Sequence, residues 1–375
     1  MFNKTKRLPN KNLTFAVLSL VIFGWILSSS ASIGHFGNYD KAINQTIYIA
    51  LGMISAVFVL KIPLSFYKEN RYWIFIISII LLAVVFSPFG KTVNGSTRWI
   101  NLIAFNLQPS EIFKIVIILF TAGFLVEQEK DLKRPWIGLL KIFLVIITPV
   151  TLLLIEPDFG ATIITVVTVL AMLLVAGVYL KQLFIIGGVF IIVVAGFISL
   201  NPNRVERLVS FWQQDLWLNN SAKVWQTKQA LIGIARGDWT GAGLGNSIQK
   251  YSKLPEPHTD MIFAVIGEET GIVGMLFVLG LFVYIILSGF KIAREALQDD
   301  RRYSSYVGFG ICTWLSMQFS VNIAMNIGLI PPKGFTLPLI SYGGSSMIFA
   351  LISIALLLRI DMENKADLSR RKHYV

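Results

Sequence analysis

A His-Thr-Asp triplet, His258–Asp260, opens the stretch HTDMIFAVIGEETG, and two adjacent carboxylates, Glu268 and Glu269, follow inside an otherwise apolar run. A carboxylate in a membrane helix is costly unless it faces a cavity or a partner. Asp260, Ala264 and Glu268 fall at i, i+4 and i+8, so a helix here puts Asp260 and Glu268 on one face. Pro255 and Pro257 keep the approach extended. Thr259 or Asp260 suits an N-cap, whose oxygen accepts from first-turn amides. Capping explains one acid; three acids along the helix call for a polar cavity facing a bundle interior. In such a cavity Asp260, His258 and Glu268 are candidate site residues.

Three more stretches hold candidates. In KTVNGSTRWINLIAFNLQPSEIFKI, residues 91–115, Glu111 and Lys114 stand at i, i+3 after Pro109 and can pair. With Arg98 and Trp99 they form either an interfacial anchor and a structural ion pair, or a cationic wall for an anionic lipid head group. EPDFGAT, residues 156–162, is a turn whose Glu156 and Asp158 serve structure, or touch a substrate or metal. In IPPKGFTLPLISYGGSSM, residues 330–347, Lys333 could hold a phosphate as a point charge and Ser341 lies in the same ligand region. Irregular backbone at membrane depth is tolerated beside protein or a water-filled cavity; a flexible connection is the alternative. Gly237, Gly241, Gly243 and Gly245 lack the preceding strand and the spacing of a dinucleotide loop. They suit a turn that brings backbone close to a partner.

The elements that must position these residues are set by composition. The 375 residues are 55% hydrophobic and 14% charged, against about 25% charge in soluble chains. Ten apolar segments reach or approach the roughly 20 residues that cross a bilayer: about 14–34, 43–62, 72–89, 110–126, 136–155, 159–179, 183–200, 260–289, 305–328 and 338–359. The expected fold is an all-α polytopic membrane protein of ten transmembrane helices, one domain over 1–375, with a large extracytoplasmic loop, 201–259, between the seventh and eighth. Within that loop RVERLVSFW and SAKVWQTKQALIGIAR place Val205, Leu208, Val209 and Trp212, and Val224, Thr227, Leu231 and Ile234, on single faces. Both are expected to lie as amphipathic helices on the membrane surface. The first span is expected to be an uncleaved helix rather than a signal peptide.

Lys68, Arg71, Lys130, Lys133, Arg134, Lys181, Lys291, Arg294, Arg301 and Arg302 fall in one set of short connections with both termini. The opposite short loops are poorer in positive charge, which places both termini in the cytoplasm. The net charge of +12 reflects these flanks rather than nucleic-acid binding. Cys312 is alone, so no intramolecular disulfide forms, and His35, His258 and His373 are too scattered for a zinc site.

VNGSTRWI, QPSEIFK, EPDFGAT, GAGLGNS, LPEPHTDMIFAVIGEETGIVG and PPKGFTLPLISYGGSS, in this order over nearly the whole chain, resemble the signatures of the SEDS proteins (shape, elongation, division and sporulation). Lys333-Gly334 before LPLISYGGSS is similar to the cell-division branch; the elongation branch usually lacks that pair. Asn106, where some members carry Arg, and Pro332, where Thr is usual, depart from the pattern.

The resemblance implies a bacterial inner-membrane glycosyltransferase, enriched at the division septum, that polymerises lipid II on undecaprenyl pyrophosphate. It carries the essential aspartate to Asp260, the loop tryptophan to Trp99 and the basic residue of the fourth helix to Lys114. It implies inversion by single displacement: Asp260 deprotonates the acceptor 4-hydroxyl, and Arg98, Lys114 and Lys333, or a divalent ion such as Mg2+ or Mn2+, stabilise the leaving pyrophosphate. No organic cofactor is expected. No Ser-x-x-Lys crosslinking set is visible, so a separate class B penicillin-binding transpeptidase is the expected partner, among other division proteins. The rival functions are a lipid II flippase and a non-catalytic division scaffold.

Overall fold

The computed structural model describes residues 9–93, 96–102, 105–132, 136–156, 158–200, 205, 209, 211, 222–251 and 253–372. Lys133, Arg134, Pro157, His373 and most of RVERLVSFW lie outside the described residues.

The chain is a polytopic bundle of apolar helices. In chain order they are α1 Lys11–Phe36, α2 Asp40–Lys61, α3 Leu64–Glu69, α4 Arg71–Val84, α5 Pro109–Glu127, α6 Glu129–Leu132, α7 Ile137–Ile155, α8 Phe159–Val175, α9 Leu180–Ser199, α10 Ala222–Gly237, α11 Ile262–Gln298, α12 Arg302–Asn326 and α13 Gly344–Lys372. Among the described residues, seven helices (α1, α2, α5, α9, α11, α12 and α13) are long and apolar enough to cross a membrane, and Arg71–Val84, Ile146–Ile155 and Phe159–Val175 are shorter apolar helices. Each expected span overlaps one of these.

Burial sorts the helices. From Pro109 to Leu125 nearly every side chain of α5 is buried, so α5 is the central post of the bundle. On α9 Phe184, Ile191 and Ile192 are exposed, the pattern of a helix turned to lipid. Around α5 stand α4, α8, α12 and α13; α13 also packs along α2, and α12 along α11.

Four features depart from the sequence reading. First, the chain is not wholly helical. Gly90–Val93, Ser96–Leu102 and Phe105–Leu107 form a three-stranded antiparallel sheet, β1-β2-β3, that pairs Lys91 with Trp99 and Ile100 with Leu107. Thr92, Val93, Thr97, Trp99 and Ile100 are the β-branched and aromatic types that favour a pleated surface, and the sheet occupies what reads as a loop.

Second, α11 begins at Ile262, runs on to Gln298 and breaks at Gly271, whose φ of 65° and ψ of −166° are non-helical. Third, α13 starts only at Gly344, later than the expected span from about 338, so the irregular backbone read in 330–347 takes in residues 338–343. Fourth, α10 does not lie free on the membrane surface. Its Gly237 sits so close to Gly267 of α11 that a β-carbon there would fall 1.8 Å from the Gly267 carbonyl oxygen. The glycine turn does approach a partner, and the partner is α11: the amides of Ala242 and Gly243 donate to the carbonyls of Glu268 and Glu269 at 2.9 and 3.1 Å.

Candidate functional site

The segment 327–343, between α12 and α13, folds over the chain leading into α11. The Ser341 hydroxyl donates to the Thr259 carbonyl at 2.6 Å and accepts from the Leu337 amide at 2.6 Å. The Tyr342 amide donates to the His258 carbonyl at 2.8 Å. From α2, the Gln45 side chain donates to the Ser341 carbonyl at 3.1 Å and accepts from the Gly343 amide at 3.2 Å. The His-Thr-Asp triplet and the SYGG turn thus behave as one unit.

Asp260 lies at the centre of this unit, 7% exposed. It does not cap α11. The N-cap is Met261, without a side-chain bond, and the Ala264 amide of the first turn donates instead to Asn326 Oδ1 of α12 at 3.0 Å. A helix cap supplied in trans leaves the Asp260 carboxylate for other work. Burial pushes that carboxyl up to about 7. The amides of Asp260 itself and Gly334 and the Thr259 hydroxyl, 3.1 Å away, pull the other way, while Glu256 adds to the rise. The carboxylate accepts from the backbone amide of Gly334, which follows the exposed Lys333 in sequence.

His258 is buried, in ring contact with His35, Phe36 and Tyr342. Burial, then the charges of Lys41 and His35, depress its imidazole to about 3, so it stays neutral. It packs the mouth of the unit and takes no charge there.

On α5, the Lys114 ammonium lies 2.9 Å from both Glu111 oxygens, 3.0 Å from Gln318 Oε1 and 5.0 Å from the Trp314 ring. Gln318 in turn donates to the Thr336 carbonyl at 3.0 Å. The expected Glu111–Lys114 pair therefore exists, and it reaches the covering segment through one amide. A third cluster sits at the α7–α8 turn. Arg98 of β2 donates to the Glu156 carbonyl at 3.3 Å and stands 3.9 Å from Asp158. Asp158 caps α8 through the Ala161 amide at 3.1 Å and accepts from Ser110 at 3.3 Å. Phe335 of the covering segment packs so tightly on Gly160 that a β-carbon there would lie 2.7 Å from the ring. Trp99, next to Arg98, is half-buried.

Glu156 is 1% exposed and neither of its carboxyl oxygens has a partner. Burial, with the charge of Asp158 beside it, raises its carboxyl to about 8 against the opposing pull of Arg98. A carboxyl raised from 4.5 to about 8 holds its proton only in the folded chain across that interval. Its stabilisation is complete at acid pH and is lost as pH climbs through about 8. Glu156→Gln mimics the protonated group. Its melting temperature in detergent is expected to match wild type at pH 5 and to exceed it at pH 9. Parallel curves for the two proteins would contradict this.

Glu268 belongs elsewhere. The expected shared cavity with Asp260 is absent: Asp260 precedes the helix, and Glu268 is fully buried in bonds to Arg236 at 2.6 Å, Ser247 at 2.5 Å and the amides of Ile248 and Gln249 at 2.9 and 3.2 Å. Glu269 is held the same way by Lys250 and Ser30, at 2.8 and 2.9 Å. The paired acids anchor the segment between α10 and α11. Reading the sequence missed Lys250, the partner of Glu269, and Gln318, Asn322 and Asn326 on α12. The available signal was three amide side chains at i, i+4 and i+8 in an apolar helix.

Among the described residues, no three His, Cys, Asp or Glu side chains converge as metal ligands.

The fold and this site define a polytopic membrane protein with a protected carboxylate at the foot of a helix. The profile of the cell cycle protein family of FtsW, RodA and SpoVE matches residues 11–366, and the chain belongs to that family. It is 40% identical over 367 residues to the probable peptidoglycan glycosyltransferase FtsW of Legionella pneumophila, covering 96% of this chain and 92% of the relative. It is 37% identical over 362 residues to the protein of the same name in Marinobacter nauticus, covering 95% and 90%. A solved chain from a study of how a peptidoglycan synthase complex coordinates polymerization and crosslinking matches with a TM-score of 0.79 at 25% identity, covering 95% of this chain and 98% of that one. The Rod shape determining protein RodA of Thermus thermophilus shares the fold, with a TM-score of 0.70 at 23% identity and 96% and 99% coverage.

Proposed function

We propose that the chain is the peptidoglycan glycosyltransferase of septal wall synthesis, polymerising lipid II into β-1,4 glycan strands and releasing undecaprenyl pyrophosphate. The relatives' names support the activity, and Lys333-Gly334 supports the division role. One observation carries the chemistry: Asp260 is a buried carboxylate, relieved of capping, with its proton affinity raised to about 7. A general base works best when its pKa lies near the operating pH.

In this reading the acceptor 4-hydroxyl gives its proton to Asp260 as its oxygen bonds to the donor's anomeric carbon. The bond from that carbon to the pyrophosphate breaks with inversion. The pyrophosphate leaves as an anion and needs no acid, unlike the leaving group of a glycoside hydrolase. The covering segment moves aside to admit the sugar. Lys333, exposed on that segment, and Arg98 serve the pyrophosphate; Trp99 and Ser341 border the same path. Lys114 acts through its link to Gln318, and Glu111 holds it. Among the described residues no three such ligands converge, and Mg2+ is commonly bound through one or two carboxylates plus substrate phosphates. Mg2+ or Mn2+ enters this proposal as a companion of the pyrophosphate, and no step is assigned to it.

A class B penicillin-binding transpeptidase is the proposed partner, supported by the likeness to the synthase-complex chain. Both termini are proposed to face the cytoplasm. The test is the purified protein with lipid II in detergent, where there is no bilayer to cross. The polymerase yields glycan strands. A flippase or a scaffold yields none, and that result would end the proposal.

A further inference from the structure

The three amides of α12 stand where two pieces of irregular backbone meet. Asn322 is fully buried, and its single side-chain nitrogen donates to the Asp260 carbonyl at 2.9 Å and to the Phe335 carbonyl at 2.5 Å. Asn326, also fully buried, donates to the same Asp260 carbonyl at 2.9 Å and to the Asn322 carbonyl at 2.9 Å, while its oxygen receives the Ala264 amide at 3.0 Å. Gln318, one turn earlier, donates to the Thr336 carbonyl and hydroxyl at 3.0 and 3.2 Å.

An apolar side chain at 322 or 326 would fill space equally well. Amides here do something packing cannot. The Asp260 carbonyl has two lone pairs, and the Asn322 and Asn326 side chains of α12 both donate to it, so the backbone bearing the carboxylate is tied to a membrane helix as well as to the Glu256 carbonyl of its own loop. One of those donors also holds Phe335, next to Gly334, whose amide favours the ionised carboxylate. We infer that Asn322 and Asn326 are positioning residues for Asp260: they set the base against α12, and Asn322 sets the distance between the base and the segment that covers it. The inference rests on Asp260 being the base of the proposed polymerase.

A static anchor predicts specific kinetics. Misplacing a catalytic group by about 1 Å costs on the order of 10²-fold in rate. Asn322→Ala is therefore expected to lower kcat by about 10²-fold with KM changed little. With Phe335 released, the Gly334 amide drifts from the carboxylate, and the acidic limb of the pH–rate profile moves to higher pH. Asn322→Thr keeps one donor at similar volume and is expected to fall between Asn322→Ala and wild type. Gel filtration and melting in detergent give the folded fraction, to which each rate is normalised. A merely structural role lowers that fraction and leaves the normalised rate and the limb unmoved. Should Asn322→Ala be lost on purification, Asn322→Thr carries the same test.

Normalised kcat and pH limb equal to wild type, alongside an inactive Asp260→Asn, would overturn the positioning role alone. Activity in Asp260→Asn would instead remove the base assignment on which the inference stands.

Discussion

Asp260→Asn is expected to abolish glycan polymerisation from lipid II, with a loss of at least about 10²–10⁴-fold, the usual share of a general base. The substitution keeps size and removes the ability to take a proton. Binding of lipid II should survive, because Arg98, Lys333 and the other polar groups remain. The pH dependence gives a second reading of the same residue. Burial lifts the carboxyl from 3.8 to about 7, so the base is ionised, and the wild-type enzyme active, above about pH 7, with activity falling below it.

Stability runs in the opposite direction. A carboxyl whose pKa is raised on folding stabilises the chain while protonated, and that contribution is lost as pH rises from about 4 through about 7. Asp260→Asn carries no such charge, so at pH 8 the variant should melt no lower than wild type while making no glycan. Strand synthesis at the wild-type rate from this variant would remove Asp260 from the chemistry. An inactive variant that also melts early would point to folding rather than catalysis.

How much of this was legible before the structure differs by element. The helices were, because a bilayer demands long apolar runs and the runs are there in order. The β1–β3 sheet was not: the strands are short, and Lys91, Arg98 and Asn101 interrupt their apolar pattern. Asp260 stood out because a carboxylate beside a membrane run is costly, and its isolation from the cap appears only once Asn326 is seen to serve Ala264 from another helix. Periodicity misjudged Glu268. Spacing of i, i+8 told which helix face it occupies, assuming the helix reached back to Asp260, and could not tell that Arg236, Ser247 and two loop amides cover that face. Gln318, Asn322 and Asn326 were visible as a polar stripe, yet their meaning lies in carbonyls far away in sequence, which one chain read locally does not reveal.

Glu268 supplies the sharpest test of that lesson, because the two readings predict different measurements. As a substrate ligand it would be dispensable for folding, and its loss would raise KM. As an anchor it accepts four bonds while fully buried, and its loss strands the Ser247 hydroxyl and the amides of Ile248 and Gln249. Ser247 and Gln249 are buried, and leaving a buried hydrogen-bonding group unpaired costs about 1–3 kcal/mol each, a large part of the roughly 5–15 kcal/mol that holds a typical domain. Glu268→Ala is therefore expected to melt far below wild type in detergent and to be cut by protease within residues 238–253 well before the rest of the chain. Lys250→Met, which leaves Glu269 unpaired beside Ser30, should do the same. The Gly241 turn explains why no other residue can take over. Its φ of 82° and its approach to the Glu269 carbonyl admit only glycine, so the loop has one seat on α11 and the two acids keep it there. A Glu268→Ala protein with wild-type melting, wild-type proteolysis and a raised KM for lipid II would return this carboxylate to the substrate path.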